Sequence, residues 1–397
     1  MKKRRSLLCV LISLVLLLPC FCFAGCSGGA ESDEITVALY PYLPDLEYYQ
    51  ELVEEEWEAV HPEITLKFVD WDCYYNHDID DVDVFMYDSI CYSALLEEGY
   101  LSPVADEEVE DLDGFIPFMV DCMREDGQLY GIPVLGCSYF MMYYKDDAEL
   151  AAAQTLEDVY NAVGVKENPN QDPADNTYGL MTNFKYDYPY YYLDAYVDAE
   201  GEYDDFSEMP ALDNPAALTA LNQMVDMLGE KFAFGLFENF GYDNYVYAQR
   251  FNEGKGRVFI GYSENMAFMQ DIADQIDIKT ISMTPGDNVQ LYFSDIVSIN
   301  ANVEDDKRDE CLELANIISS NEVISNLIVK DGVPQYILPA RGELYEELME
   351  TYPLYGRLYD LMINQDSNLF RFGDAYYDYI EQADDVIPEN MEALRAN

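Results

Sequence analysis

The stretch from Leu129 to Asp147, LYGIPVLGCSYFMMYYKDD, decides how the rest of the chain is arranged. A Gly-Ile-Pro lead-in is followed by β-forming residues up to Tyr144 and then by a polar Lys-Asp-Asp stop, which predicts one long strand rather than a helix. Such a strand would join two lobes, and Cys137 would then face the cleft between them, where ligands bind. The alternative is a structural role, because an unmodified cysteine is more often a buried core residue.

Residues 1–25 predict a signal peptide, which takes no part in the fold. Basic residues at 2–5 precede the apolar run Leu7–Leu18, and small residues lead up to Cys26. This pattern resembles a bacterial lipoprotein signal, with Cys26 as the lipidated residue and 26–34 as a tether to the membrane. An uncleaved anchor is the alternative, since the apolar run is near the shortest length that spans a bilayer. Both alternatives predict an extracellular globular part, held at the cell surface by the anchor only.

The composition excludes some classes of partner. The chain has 21 Lys and Arg against 78 Asp and Glu, a formal net charge of −57. Nucleic acid is therefore a poor partner, because phosphate contacts need clusters of basic residues, whereas a cationic small molecule would be attracted. The composition also argues against disorder, because half of the residues are hydrophobic and 35 are Tyr. The 397 residues predict two domains, and we expect a monomer.

The cysteines and histidines limit the possible chemistry. Beyond Cys26 the number of cysteines is odd, so at least one thiol is left over if the others pair, and none has CxxC spacing. His61 and His77 are the two histidines of the chain, which argues against His-based zinc sites, Ser-His-Asp triads and Cys-His pairs. A reactive thiol would need a carboxylate as its base, and we expect neither a metal nor a cofactor. The five cysteines are Cys73, Cys91, Cys122, Cys137 and Cys311.

The first part of the mature chain predicts a parallel sheet. A strand at 35–40, a helix at 46–61 and a strand at 64–71 have the spacing of a βαβ unit. A third strand at 82–87 would place Asp88 at the carboxyl end of the sheet, where α/β proteins bind ligands. The alternative, of equal weight, is that Asp88 is the N-cap of the following helix. Ser89 is a second candidate for that cap.

Later segments predict further elements, with two lobes at 35–135 plus 292–335 and at 136–291 plus 336–397. We expect a helix at 266–276, strands at 278–283 and 291–299, a third crossing at 332–338, and helix from 342 onward. The tyrosine-dense segment 186–192 and the helix around Tyr245 suit a cleft for a flat, positively charged ring. The polar segment 166–177 is predicted to be a turn rather than a calcium loop.

The order of these parts resembles the type II extracellular solute-binding proteins. That resemblance implies an α/β fold of two lobes, each a mixed sheet flanked by helices, with crossing strands as the hinge. More specifically, the chain resembles the thiaminase I family, the bacterial thiamine pyridinylases, which are built on that fold. The segments that carry the resemblance are DVDVFMYDSICYSALLEEGYLSPV at 81–104, LYGIPVLGCSYFMMYYKDD at 129–147, RFNEGKGRVFIGYSENM at 250–266 and DIVSINANVEDDKRDECLELANII at 295–318.

The thiaminase I resemblance implies roles for nine residues. Cys137, within IPVLGCSYF, would be the nucleophile and Glu264, within GYSENM, its base. As an alternative, Glu264 is a first-turn acid favoured by a helix dipole. Phe293 stands where the family pattern leads us to expect Tyr, so one polar contact to the substrate would be lost. The other members of the implied pocket are Tyr40, Tyr74, Asp88, Tyr245, Tyr262 and Asp295.

The reaction implied is cleavage of thiamine at its methylene bridge, with the thiazole replaced by an external base such as an aromatic amine or a thiol. A covalent cysteine-pyrimidine intermediate would divide the displacement into two steps. Because acidic surroundings raise the pKa of a thiol, Glu264 would take the proton during attack, and Asp88 or Asp295 would hold the aminopyrimidine. The competing hypothesis is a solute-binding lipoprotein of an importer for thiamine or another cationic heterocycle. A structural or adhesive surface protein is disfavoured.

Overall fold

The computed structural model describes residues 34–74, 79–167, 178–200, 209–229, 233, 245–286, 288–363, 367–369 and 376–396. The predicted signal peptide, Cys26, nearly all of the tether, His77 and most of the polar segment 166–177 lie outside these residues. Within the described part of the chain, no helix is both long enough and apolar enough to cross a membrane.

The chain begins with the predicted βαβ unit. Strand β1 (Glu34–Ala38) pairs in parallel with β2 (Thr65–Phe68), and helix α1 (Leu46–Val60) connects them. The Asp45 side chain caps α1 by accepting a hydrogen bond from the backbone N–H of Tyr48 at 3.1 Å. The buried residues of α1 recur every fourth position, which places them on one face against the sheet.

A large mixed sheet holds this unit. Strand β3 (Val84–Asp88) is parallel to β1 and is followed by a 3-10 turn and α2 (Tyr92–Glu97). The chain then forms the short helix α3 (Pro117–Asp121) and a hairpin of β4 (Arg124–Glu125) and β5 (Gln128–Leu129). Strand β6 (Ile132–Cys137) follows this hairpin. Strand β11 (Gln290–Ile299) lies antiparallel between β3 and β6, and all ten of its residues are buried. The order of the sheet is β14-β6-β11-β3-β1-β2, where β14 is Leu338–Pro339.

The prediction of one long crossing strand is wrong in a specific way. The chain leaves the large sheet after Cys137 and enters a second sheet as β7 (Tyr139–Tyr144), so that Ser138 separates two strands. The reason is a change of pairing partner: Cys137 lies opposite Phe293 of β11, whereas Tyr139 lies opposite Tyr262. The Ser138 hydroxyl fixes the change by donating to the Leu291 carbonyl at 2.6 Å.

The second sheet consists of β7, β8 (Tyr178–Met181), β9 (Gly256–Tyr262) and β10 (Ile276–Lys279). The order of its strands is β10-β7-β9-β8. Helices pack around it in the chain order α4 (Ala148–Ala152), α5 (Leu156–Val163), α6 (Phe184–Glu200), α7 (Pro215–Leu228) and α8 (Val246–Asn252).

Two further sequence predictions are corrected by the structure. The expected helix at 266–276 consists of 3-10 turns at Ser263–Phe268 and Gln270–Ile272 followed by β10, because the alternating IDIK segment pairs with β7 instead of continuing a helix. The expected crossing at 332–338 is reduced to β13 (Val333–Pro334), which pairs with β12 (Val329–Lys330), and to β14.

The C-terminal part is helical but contains a strand. Helices α9 (Arg308–Ile318) and α10 (Asn321–Ile328) pack on the large sheet, and α11 (Leu344–Thr351), α12 (Pro353–Ile363) and α13 (Tyr376–Ala396) follow. Between α12 and α13, β15 (Ser367–Leu369) pairs in parallel with the first residues of β11. The lobe boundaries drawn from the sequence remain predictions.

Candidate active site

A cavity of about 470 Å³ opens where the two sheets meet, within the ~300–1,000 Å³ range of small-molecule sites. Strands β3, β6 and β11 contribute one side of it, and β9 and α6 contribute the other. All nine residues named from the sequence line this cavity: Tyr40, Tyr74, Asp88, Cys137, Tyr245, Tyr262, Glu264, Phe293 and Asp295. The structure thus brings all nine to one cavity.

Cys137 is the last residue of β6, next to the break at Ser138. Its side chain is half-buried and lines the cavity, unlike the buried side chains of the other four cysteines in the described chain, and all five are present as thiols. Burial raises the pKa of the Cys137 thiol well above its ordinary value, and the charges of Asp295 and Asp88 raise it further. These effects favour the thiol form of Cys137 over the thiolate.

Glu264 lies in the 3-10 turn that follows β9, and its side chain is half-buried against the cavity. Because Tyr262 of β9 pairs with Tyr139 of β7, the end of β9 lies beside the point where the chain leaves Cys137. Burial raises the pKa of the Glu264 carboxyl to about 7. A carboxylate with a pKa near neutrality is suited to act as a base, although Glu264 also occupies the first-turn position of its helix.

Asp88 and Asp295 form a pair of acids across the large sheet. They are directly opposite each other in β3 and β11, and their exposed fractions are 3% and 4%. Burial raises both pKa values, that of Asp88 to about 6 and that of Asp295 well above its ordinary value, with the charges of Asp88 and Glu264 adding to the effect on Asp295. Like charges this close disfavour simultaneous ionisation.

The two predicted roles of Asp88 are compatible. One carboxylate oxygen caps the 3-10 turn by accepting from the Ile90 N–H at 3.0 Å, and the other accepts from the Tyr74 hydroxyl at 2.8 Å. Ser89 is not the cap, because its hydroxyl accepts from the backbone N–H of Ser294. In contrast, Asp295 Oδ1 is buried and has no hydrogen-bond partner among the described residues.

Tyrosines form the walls of the cavity. The Tyr40 and Tyr74 hydroxyls lie 2.7 Å apart, so a chain of hydrogen bonds runs from Tyr40 through Tyr74 to Asp88. On the other side, the Tyr262 hydroxyl lies 2.6 Å from that of Tyr139, and the two rings stack at 4.4 Å. Flat, polar-edged walls of this kind accept flat heterocycles and cations.

Tyr245 and Phe293 complete the predicted set. The Tyr245 hydroxyl donates to the Tyr42 carbonyl at 3.3 Å, and its ring stacks on Phe268 at 4.4 Å. Phe293, opposite Cys137 in the sheet, is only 2% exposed and packs edge-on against Tyr139 and Tyr190. Its ring thus supports the wall next to the thiol.

The sequence indicated the tyrosine-dense segment 186–192 for the cleft, but it did not single out the individual lining residues at the start of α6. Asn183, Asp187 and Tyr190 all reach the cavity, and Asp187 is only 8% exposed. Burial and the charge of Glu264 raise the pKa of Asp187. Their spacing of four and three residues is the available sequence signal, because it places them on one helical face of the tyrosine-dense segment.

The charges of the cavity have one sign. Four acids line it, namely Asp88, Asp187, Glu264 and Asp295, and none of the described lining residues is Lys or Arg. No group of three potential metal ligands occurs among the described residues. The site thus combines a thiol, a carboxyl whose pKa is about 7, and an excess of acidic groups. This combination suits nucleophilic attack on a cationic heterocycle.

Known proteins share the fold. A solved structure of maltose-bound T. maritima MalE3 covers 91% of this chain and 95% of its own with a TM-score of 0.67, and its 18% identity supports the fold alone. The solved structure of Clostridium botulinum thiaminase I in complex with thiamin covers 90% of this chain and 100% of its own, at a TM-score of 0.84 and 32% identity. The two-lobed α/β fold of the type II binding proteins is therefore confirmed.

The family is apparent from sequence as well. A family model described as the Thiaminase-1 domain matches residues 138–284, which include β7, β9 and Glu264. Thiaminase-1 of Paenibacillus thiaminolyticus is 33% identical over 393 residues, which are 97% of this chain and 95% of that protein. Because the similarity extends over nearly all of both proteins, this chain belongs to the thiaminase I family.

Proposed function

We propose that this member of the thiaminase I family cleaves thiamine with Cys137 as the nucleophile and Glu264 as its base. The chain is a thiamine pyridinylase, a transferase that degrades thiamine by exchanging its thiazole for an external nucleophile. The observation that carries the assignment of residues is the cavity itself: it contains one half-buried thiol and one carboxyl whose pKa is about 7. No histidine lines the cavity among the described residues.

The reaction divides into two displacements. In the first, Cys137 sulfur adds to a pyrimidine ring carbon while Glu264 takes the thiol proton. The bond between the bridging methylene and the thiazolium nitrogen then breaks, its electron pair stays on nitrogen, and a neutral thiazole leaves. In the second, an external base bonds to the methylene carbon, the carbon-sulfur bond breaks, and the sulfur recovers a proton from Glu264.

The acidic cavity makes this chemistry depend on the substrate. Negative charge around Cys137 opposes thiolate formation in the empty site. Thiamine brings a permanent positive charge, which offsets the surrounding acids and favours transfer of the thiol proton to Glu264. The nucleophile is thus generated when its target is present.

Asp295 is the better candidate for holding the aminopyrimidine. Both carboxylate oxygens of Asp88 already accept hydrogen bonds, from Ile90 and Tyr74, whereas Asp295 Oδ1 has no partner among the described residues. A buried polar atom without a partner is unfavourable, so a substrate that supplies a donor or acceptor there gains binding energy. Because burial raises the pKa of Asp295, its protonated carboxyl would donate to a ring nitrogen, and that hydrogen bond would strengthen as negative charge builds on the ring.

The setting of the reaction is also proposed. We expect the enzyme to act outside the cell as a monomer, with lipid on Cys26 as its membrane anchor, on the strength of the N-terminal sequence pattern. The second substrate would be an organic base or a thiol. A binding protein of an importer would share the fold and the anchor, but it would not need a thiol together with a carboxyl whose pKa is about 7. The family assignment does not favour this alternative function.

The test compares wild-type protein with the Cys137→Ser variant. Wild type should consume thiamine and release thiazole when pyridine or a thiol is added, and Cys137→Ser should bind thiamine in calorimetry without consuming it. Without an acceptor, intact-mass spectrometry should detect a pyrimidine adduct on wild type only. Cys122→Ser, which changes a buried thiol away from the cavity, is the control and should keep both activity and adduct.

Two results would contradict the proposal. Wild-type protein that binds thiamine and leaves it intact with either acceptor would indicate a receptor. Cleavage by Cys137→Ser at the wild-type rate would place the nucleophile elsewhere.

A further inference from the structure

Two acceptors at the start of α6 face the cavity and have no hydrogen-bond partner among the described residues. Asn183, the residue before α6, and Asp187 form this acceptor face, and the Asp187 N–H donates to the Asn183 carbonyl at 3.2 Å, which sets their alignment. The Tyr190 ring lines the cavity next to this face. Asn183 Oδ1 is buried without a partner, and the Asp187 carboxylate makes no hydrogen bond or ion pair among the residues that the structure describes. Buried acceptors are normally satisfied, so Asn183 Oδ1 can take a donor from a ligand, and the buried charge of Asp187 can be offset by a cation.

Other acids on the same helix show what a structural role looks like. Asp198 accepts hydrogen bonds from the backbone N–H groups of Met283 and Val289, which fixes the loop before β11. Asp194 is buried but does not line the cavity. Asp187 has neither explanation, and it lies where a ligand would reach it.

The acceptor face lies on the opposite side of the cavity from the Asp88 and Asp295 pair. The charge of Asp187 acts on Cys137, Tyr139 and Tyr262, so it is close enough to influence the reacting centre. Burial and the charge of Glu264 raise the pKa of Asp187, and a cation in the cavity opposes both effects. With the aminopyrimidine held at Asp295, the exchanged ring would lie toward α6.

We propose that the acceptor face binds the exchanged group, first the thiazolium and then the incoming base, and that Asp187 favours neutral nitrogen bases over thiols. This inference rests on the proposed function. A pyridine nitrogen that uses its lone pair to bond to the methylene carbon becomes positively charged as the carbon-sulfur bond breaks. A thiol gives up its proton to solvent and forms a neutral thioether.

Asp187 would therefore stabilise one transition state and not the other. An anionic carboxylate attracts the developing pyridinium, and the Tyr190 ring adds a cation–π contact. The same carboxylate repels a thiolate that approaches along the same path. Selectivity between acceptors, more than overall rate, is the property that this residue controls.

The experiment measures kcat/KM for each acceptor, pyridine or 2-mercaptoethanol, at saturating thiamine. Asp187→Asn should lower the value for pyridine about tenfold, as expected for loss of one charge interaction at a partly desolvated site, and change the value for the thiol less than about twofold. Asp187→Glu should restore most of the pyridine value. Asp194→Asn, the same change on the same helix away from the cavity, should leave the pyridine-to-thiol ratio unchanged.

A second variant tests the inference with the opposite sign. Asn183→Asp adds a charge one helical turn away and should raise the pyridine-to-thiol ratio severalfold, which also decides the matter if Asp187→Asn does not fold. Equal effects on both acceptors in Asp187→Asn, or a ratio that is unchanged or lower in Asn183→Asp, would overturn the inference while leaving the proposed function intact. Failure of wild type to consume thiamine with either acceptor would instead refute the proposed function.

Discussion

Replacing Glu264 by glutamine keeps the shape of the side chain and removes the group that is proposed to take the Cys137 proton. The glutamine side chain would still occupy the 3-10 turn after β9, so the walls of the cavity should be preserved. The change therefore separates the chemistry of the base from the binding of thiamine. We expect a large loss of kcat/KM with little change in thiamine affinity.

The size of the loss follows from the thiol. The pKa of an unperturbed cysteine thiol is 9.0, and burial with the neighbouring acids raises that of Cys137 well above it. At pH 7, about 1% or less of such a thiol is ionised, so attack without a base should be at least ~100-fold slower. General-base catalysis contributes about 10²–10⁴-fold elsewhere, which is the range that we expect here.

The pH profile distinguishes this explanation from a general loss of structure. Wild-type kcat/KM should rise to a plateau as Glu264 ionises, with a midpoint near its pKa of about 7. In Glu264→Gln it should rise about tenfold for each pH unit across that range, because only the thiolate population increases. Thiamine cleavage is measured between about pH 5 and about pH 9.

Glu253→Gln, on an exposed site of the same region, is the control and should retain the wild-type profile. A Glu264→Gln profile that still levels off near neutral pH would show that another group is the base. Loss of thiamine affinity comparable to the loss of kcat/KM would refute the separation of binding from chemistry.

Three further outcomes are expected. Tyr74→Phe removes the hydroxyl that donates to Asp88 at 2.8 Å, so the pKa of Asp88 should rise above about 6 and calorimetry should find thiamine bound about tenfold more weakly. Asp198→Asn loses charged acceptors for backbone N–H groups and should lower the free energy of unfolding by about 2–3 kcal/mol in denaturant titrations. The pKa of Glu264 is raised from 4.5 to about 7 in the folded state, so its stabilising contribution is complete below pH 4.5 and is lost as the pH rises through about 7. In denaturant titrations at pH 8, Glu264→Gln should therefore have a higher free energy of unfolding than wild type, by at most about 3 kcal/mol. The difference should be smaller than this bound, because the side chain is partly exposed to solvent. At pH 4 the two proteins should be equally stable.

Elements whose signals are local could be predicted from the sequence. The βαβ unit follows from strand and helix periodicity within a short segment. Caps also follow, since Thr155 accepts from the Asp158 N–H and Asn214 accepts from the Ala216 N–H just before their helices. Cys137 and Glu264 are identified by their family motifs, which are short stretches of contiguous sequence.

Features that depend on distant partners could not be predicted. β-forming residues continue on both sides of Ser138, and only its contact with Leu291, 153 residues away, shows where the chain changes sheets. Likewise, the segment before β10 has helical periodicity, but it forms 3-10 turns that end where β10 pairs with β7. Asp187 could not be singled out from the sequence, because helical spacing places it on one face of its segment and only its burial distinguishes it from the many other acids.

On the proposed mechanism, the acids around Cys137 also protect its thiol from oxidation. A thiolate is the form of cysteine that oxidants attack, so a standing thiolate in an accessible cavity is vulnerable. Asp88, Asp295 and Glu264 all raise the pKa of Cys137, and the thiol is therefore kept in its unreactive form until a cation arrives. The same charges that attract thiamine thus protect the nucleophile in its absence. A basic cavity would lower the pKa of the thiol, but it would repel the thiazolium and expose a standing thiolate. For a cationic substrate, an acidic cavity with a separate base therefore both attracts the substrate and protects the thiol.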